Sequence, residues 1–413
     1  VEDGGKFRPP FSDGQCYSPH LPYAIRIART GRDTPPTTAV PHCGSARPDR
    51  SRENSCGADA CASRTTELRP FAQEYGILAI AILLLCTRES IGADGREVWE
   101  TCSMKTLVLE TTAPFQGLPE LVAYDEGLFE QEGLRIEWAD REKEVEKKTD
   151  INVISPKGLD PFSSHGKLLE QGQADMYNAC EWGNYCRVQD TRTGSRQVGR
   201  RAIVTYAALA VRPDSPVYTA QQLAGRTVGV PFYFGTHYLA LHLLEGFLPR
   251  ADIKLCRAPN GSRYRFDAMM RGDIEATTLT EPYATLAEKK GCRLVCEAFY
   301  HGTEVASDRV DAATYAAFNR AVREAVRRIN ADKAAYLHYF IDYHKAKDPE
   351  IGMLRPQDIR ASRVVVCDPA PIPLDEMQRT YAWLKSWDML EETASPLELV
   401  NVDVQQHAHV AAE

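Results

Sequence analysis

Residues able to stack, hydrogen-bond or ionise gather in a few short stretches, each following an apolar run. GVPFYFGTHYLALHLL, Gly229 to Leu244, carries Phe232, Phe234, Thr236 and His237 into a leucine-rich segment. CEWGNYCR sets Glu181, Trp182 and Asn184 between Cys180 and Cys186. Phe115 and Gln116 lie in TTAPFQG, Ser163, Ser164 and His165 in FSSHG, and Glu281 and Tyr283 in TEPY. Aromatic faces supply area to bury, and a few directional polar groups fix orientation, which is what a small-molecule pocket needs. Backbone N–H groups at helix starts after Ser164 and Gly235 would favour an anionic group. Covalent chemistry would fall to Cys180 or Cys186 as a thiolate, with Glu181 and His165 beside it. No residue is assigned a catalytic role on this evidence.

Each residue also has a structural reading. Thr236 could cap a helix, His237 could be a core histidine, and Trp182 could pack beneath a lobe. Glu281 could pin a helix start; in a pocket it would suit an amine or hydroxyl and repel a carboxylate unless Arg212 or Arg187 compensated. Cys180 and Cys186, and Cys292 and Cys296, lack a matching second pair or nearby histidines, so buried thiols are expected, with no metal and no cofactor. GxSxG, Walker, dinucleotide and HExxH motifs are absent from the sequence.

The elements that must position these residues alternate. KTLVLE reads as a strand, Pro119 opens a helix, and LRIEW follows as a parallel strand through a right-handed crossover. GKLLEQGQADMYNAC gives a short helix, a turn and a strand ending near Cys180. RRAIVTYAALAVR suits a strand passing between lobes, and TAQQLAGRTVGV leads to the Phe-Gly-Thr-His stretch. The next helix is expected to bury Leu239, Ala240, Leu243, Leu244 and Phe247, with Thr236 as its cap. Strands DIKLC, IEATTLT and RLVCE frame the helix YRFDAMMRGD. From Asp311 to Tyr343 the pattern is helical, and PLDEMQRTYAWLKSW forms a last amphipathic helix covering the first lobe. His407 and His409 fall in a polar tail expected to be disordered.

The 413 residues exceed one ordinary domain. Residues 1–103 hold eleven Arg, one Lys, nine Pro and six of the twelve Cys, with little periodicity, and do not read as a packed domain. They are expected to be a spurious leader preceding a start at Met104, an extension whose run GILAIAILLLC, 76–86, serves export, or a genuine disordered extension. The first case places the protein in the cytoplasm and the second in the periplasm; a run of this length is too short to span a bilayer, and no stable membrane insertion is expected. From Met104 onward 37 basic residues face 44 acidic ones, which argues against a nucleic-acid surface.

Four segments in order, PELVAYDEGLFEQEGL, LLEQGQADM, LAVRPDSPVYTAQQLAGRTVGVPF and MMRGDIEATTLTEPY, resemble the periplasmic-binding-protein type 2 proteins of the nitrate, sulfonate and thiamine-pyrimidine group, the SsuA/THI5-like family. The resemblance spans about residues 104–345. It implies an α/β fold of two lobes, each a mainly parallel sheet flanked by helices, with the ligand cleft between them. The first lobe is expected over 104–206 and 299–400, the second over 207–298, and a tail over 401–413. The resemblance implies the substrate-binding component of an ABC-type importer, with a sulfonate, carboxylate or pyrimidine as ligand and an ABC permease as partner. The alternative is a cytoplasmic enzyme on the same scaffold, a desulfinase, a decarboxylase or a pyrimidine synthase. Against it, Ala113 stands where desulfinase relatives carry cysteine, and the cysteine cluster and closely spaced Lys and His of the pyrimidine synthases are missing.

Overall fold

The computed structural model describes residues 87–91, 97–101, 104–140, 166–191, 195–390 and 395–410. The chain divides into two compact units, 1–98 and 99–413. Ahead of Met104, β1 (Thr87–Ile91) and β2 (Glu97–Thr101) form a two-stranded sheet, and the 76–86 run lies outside the described residues. The remaining elements belong to the second unit.

Alternation of apolar residues makes β3 (Lys105–Glu110) and β4 (Leu134–Ala139), which pair in parallel across the helices Pro114–Asp125 and Leu128–Gln131. The first of these helices breaks at Gly117 and restarts around Pro119, the residue predicted to open it. Next come β5 (Met176–Cys180), helix Glu181–Thr191, β6 (Arg196–Arg200) and the long buried β7 (Ile203–Val211). β8 (Thr227–Val230) delivers the chain to helix Gly235–Glu245; β9 (Lys254–Arg257), helix Ser262–Arg271, β10 (Ala276–Thr280) and helix Tyr283–Lys289 follow. The chain then returns through β11 (Arg293–Tyr300) and β12 (Gly302–Ala306). Helices Ala312–Ala331, His338–Lys345, Leu374–Ser386 and Val402–Val410, with the short β13 (Val365–Val366), complete the unit.

Two sheets result. One has the order β4-β3-β5-β12-β6, the other β11-β7-β10-β8-β9 with β13 beside β7. β12, reached as the chain returns from the other sheet, runs antiparallel between β5 and β6. The chain crosses between sheets twice, from Arg200 to Ile203 and from Tyr300 to Gly302. At the second crossing Tyr300 still pairs with Thr205, while Gly302 already pairs with Cys180. The second crossing therefore passes within one residue of the end of β5.

The cores follow from periodicity. Helix 312–331 buries Tyr315, Phe318, Val322, Val326 and Ile329, spaced by three and four, against β3, β4 and helix 114–125. Asp311 caps it by accepting from the Thr314 N–H at 2.8 Å. Helix 235–245 buries Leu239, Ala240 and Leu244 as expected, but Phe247 lies past its end and is 42% exposed. Thr236 stands inside that helix, whose N-cap is Phe234, and makes no capping bond. The predicted tail contains the helix 402–410, which packs on helix 312–331 with Ala408 in the core. Its apolar contacts, more than its polar composition, decide its state. Among the described residues no helix is long and apolar enough to cross a membrane.

Candidate functional site

The turns after β5 and β8 meet. A Cβ placed on Gly183 would stand 3.5 Å from the Tyr233 carbonyl oxygen and 3.7 Å from the Tyr238 ring. One placed on Gly235 would lie 2.7 Å from the Tyr300 hydroxyl and 2.9 Å from the Cys180 Cβ, so only glycine allows this approach. Trp182 lies at the same seam. Its ring centroid is 5.0 Å from His242, 5.4 Å from Tyr300 and 6.0 Å from Tyr238.

His237 holds the β8 turn from within. Tyr233 adopts φ 66°, a left-handed conformation uncommon for a bulky residue, and its N–H donates to His237 Nδ1 at 3.0 Å. Burial pushes the imidazole down to about 3, so it stays neutral and available as an acceptor. Phe234 precedes the first helical turn, and Thr236 is buried within it.

On the opposite side, the Cys180 Sγ accepts the Gly183 N–H at 3.2 Å, and burial raises the thiol to about 12. Cys186 is 1% exposed and its Sγ lies 3.5 Å from the Met389 carbonyl oxygen. The Cys180 environment disfavours a thiolate, the reverse of what a nucleophilic cysteine requires. Glu181 is raised to about 7, chiefly by burial, while the Thr380 hydroxyl and the Arg200 charge pull it down. Asn184 donates to the Thr303 carbonyl and hydroxyl at 3.0 and 2.7 Å, tying helix 181–191 to β12.

The loop after β3 reaches the seam through its backbone. The Phe115 carbonyl accepts from the Thr205 hydroxyl at 2.8 Å, and Gln116 is buried beside it. Glu281 and Tyr283 hold a different part of the second sheet's surroundings. Glu281 is paired with Arg363 at 3.1 Å and accepts from the Thr285 N–H, while the Tyr283 hydroxyl donates to Asp348 at 3.0 Å. The cation compensating Glu281 is thus Arg363; Arg187 pairs with Glu170 and Arg212 with Asp214. Ser163, Ser164 and His165 lie outside the described residues.

Four residues at this junction have no place in the motif pattern: Arg201, Thr205, Tyr300 and Trp383. Trp383 projects from helix 374–386 and stacks on His242 with centroids 3.7 Å apart. The only trace of Arg201 in the sequence is a charged pair, Arg200-Arg201, opening an otherwise apolar run. Its guanidinium is 1% exposed; Nε donates to the Ile203 carbonyl at 3.3 Å and Nη2 to the Thr205 hydroxyl. Beneath it lie Glu120 and Glu304, which hydrogen-bond to each other, with Asn178 reaching Glu120 at 3.5 Å and Thr112 reaching Asn178 at 3.2 Å. Glu120, Glu304, Asn178 and Thr112 also line a cavity of about 10 Å³. Burial raises both carboxyls above the ordinary range, and the Glu120 charge pushes Glu304 further.

No family profile and no curated protein matches the chain. Solved structures do. The alkanesulfonate-binding protein SsuA from Xanthomonas axonopodis pv. citri, bound to MOPS, is similar with a TM-score of 0.54 at 15% identity, over 73% of this chain and 97% of that one. The periplasmic aliphatic sulphonate binding protein SsuA from Escherichia coli gives 0.52 at 14%, over 72% and 92%. The desulfurization enzyme DSZB gives 0.50 at 16%, over 75% and 100%. These likenesses establish the architecture. The chain has the SsuA-like periplasmic-binding-protein type 2 fold, a scaffold that carries both binding proteins and an enzyme.

Proposed function

We propose that this protein binds a small organic molecule between its two lobes and serves as the substrate-binding component of an ABC-type importer. The lobes are taken as 104–206 with 299–400 and as 207–298. The observation carrying this reading is the seam itself: the turns after β5 and β8 come from different sheets, yet Gly235 approaches Cys180 and Tyr300 closely enough to exclude any side chain. Segments so placed separate or join as two lobes rotate about the crossing strands, and a ligand between them stabilises the joined state only by what it bridges. Trp182, Phe234 and Phe115 would supply apolar area, and the start of helix 235–245 would favour an anionic head group. The sulfonate ligands named for the SsuA structures agree with that chemistry.

The enzymatic alternative draws no support from the thiols, since Cys180 is held protonated and Ala113 is buried where the desulfinase resemblance wants cysteine. The test is thermal-shift screening of the full chain with sulfonates, carboxylates and pyrimidines, because a ligand bound only by the native state raises its melting temperature. At least one compound is expected to raise Tm, with the shift lost in Trp182→Ala. A hit recovered unchanged after prolonged incubation supports binding, and its conversion to product would transfer the assignment to the enzyme.

A further inference from the structure

Glu120, from helix 114–125, and Glu304, from β12, meet in the interior between the sheet β4-β3-β5-β12-β6 and its helices. They are 2% and 4% exposed. With Thr112 and Asn178 they line the cavity of about 10 Å³, whose walls Leu109 and Phe318 help to complete. A space of that size admits one water-sized body and no organic group. No residue of the β8 turn or of helix 235–245 lines it, so it is separate from any ligand held between the lobes.

The groups around this cavity offer oxygen. Glu120 Oε2 and Glu304 Oε1 are buried and have no hydrogen-bond partner among the described residues. The Asn178 amide oxygen accepts from the Thr112 hydroxyl at 3.2 Å, which leaves each of them a lone pair to spare. Buried acceptors left unmatched are costly, and an all-oxygen set is what a hard cation takes. A water could donate to both free carboxyl oxygens, but it would leave the charge of the pair unanswered.

That charge can be counted. Glu120 and Glu304 hydrogen-bond to each other and so share a proton, which leaves about one negative charge between them. The guanidinium of Arg201 acts on both carboxyls and balances that charge. It cannot also serve as the cavity's occupant, because its Nε is held by the Ile203 carbonyl and its Nη2 by the Thr205 hydroxyl. Tyr315, facing the pair from helix 312–331, is held as the neutral phenol by burial and by the Glu304 charge. With both carboxyls ionised the group therefore lacks one positive charge. A monovalent cation restores neutrality, whereas a divalent one would leave an excess buried in the core.

We propose that the Glu120–Glu304 cavity binds one small monovalent cation, with sodium as its representative, in exchange for one proton. The carboxyl O–H bond breaks, the proton leaves to solvent, the cation takes its place among the oxygens, and no electron is transferred. The bound ion would fasten helix 114–125 to β12.

Melting of the full chain in sodium, choline and calcium chlorides at matched ionic strength, at pH 6 and pH 9, tests this. Sodium is expected to raise Tm above the choline value at pH 9, by about 2–4 °C once it exceeds its dissociation constant about tenfold. The rise should shrink at pH 6, where protons compete for the same oxygens. Calorimetric titration with sodium in buffers of different ionisation enthalpy should count about one proton released per ion. Glu304→Gln and Glu120→Gln each keep a polar partner for the other carboxyl while removing one charge, and the sodium response should vanish in both; if one fails to fold, the other decides. Equal melting in sodium and choline at both pH values means that the cavity holds water only, and overturns the inference. A sodium response retained in a glutamine variant, or calcium acting more strongly than sodium, overturns it as well.

Discussion

Glu120 and Glu304 illustrate how a single buried pair sets a pH response. Each carboxyl is raised above the ordinary 4.5, Glu304 more strongly, because burial penalises the charged form of both and the Glu120 charge further opposes the ionisation of Glu304. Below 4.5 the folded and unfolded chains both hold the Glu304 proton and the group costs nothing. As pH rises above 4.5 the unfolded chain releases it while the folded chain retains it, so stability from this group is lost progressively with rising pH. Glu304→Gln, which cannot ionise, should flatten the decline of Tm as pH rises above 4.5 relative to the native protein. A parallel decline in both proteins would remove Glu304 as its source. Arg201 belongs to the same network and was invisible to motif reasoning, because an arginine before an apolar strand reads as a solvated boundary residue. Only the fold shows it enclosed by Gly302, Thr205 and Tyr300. His237 could be located from the sequence, but its role in bracing Tyr233 depends on a backbone angle that side-chain types do not announce.

Helix 374–386 acts as an element joining both sides of the seam. Met377, Tyr381 and Leu384 pack in the cluster that holds Tyr185 and Cys186, and Glu376 pairs with Arg200. On its other side Trp383 and Trp387 donate their indole N–H groups to Glu245 at 2.9 and 3.1 Å. Arg250 completes a clasp, bonding Glu245 at 2.6 Å and the Ser386 carbonyl at 2.7 Å while lying 4.2 Å over the Trp387 ring. Helix 235–245 is thereby fastened to helix 374–386 as well as to the start of helix 181–191. Trp383→Ala should cost about 3 kcal/mol, the lower end of the range for aromatic truncation because the ring is only half buried. The same variant should increase the radius of gyration of the unliganded protein in X-ray scattering; an unchanged radius would mean that the clasp stabilises without restraining the lobes. The helix itself was legible in PLDEMQRTYAWLKSW from its 3–4 spacing. Its bridging role was not, because Trp383 and Trp387 lie on the face that an amphipathic pattern assigns to the margin.

At the scale of the molecule, the proposed closure would depend on backbone meeting backbone. Gly235 can approach Tyr300 and Cys180 because it lacks a Cβ, and neither neighbour is free to retreat: Cys180 lies in a buried strand and Tyr300 at the hinge. Gly235→Ala is therefore expected to hold the lobes apart, enlarging the radius of gyration and lowering the affinity for any bridging ligand by about tenfold or more, while each sheet still folds. A native radius and native affinity in that variant would show that the seam does not govern closure. A tenfold loss corresponds to about 1.4 kcal/mol, modest beside the strain of forcing a methyl group into a contact under 3 Å.

Local spacing by itself determined the elements. Alternation in KTLVLE and LRIEW became β3 and β4, and three-and-four spacing became helices 235–245, 312–331 and 374–386, because a strand or helix must turn its apolar side inward whatever surrounds it. The order of those elements carried the two-lobe architecture as well. Tertiary structure decided which of the predicted site residues come near one another. Trp182 lies against Tyr300, Phe115 meets Thr205 through its backbone carbonyl, Glu281 and Tyr283 are bound to Arg363 and Asp348, and Arg201 is enclosed at the first crossing. Periodicity records which side of an element faces inward, whereas a site is made by residues distant in the chain whose neighbours are chosen only when the sheets pack and the hinge strands cross.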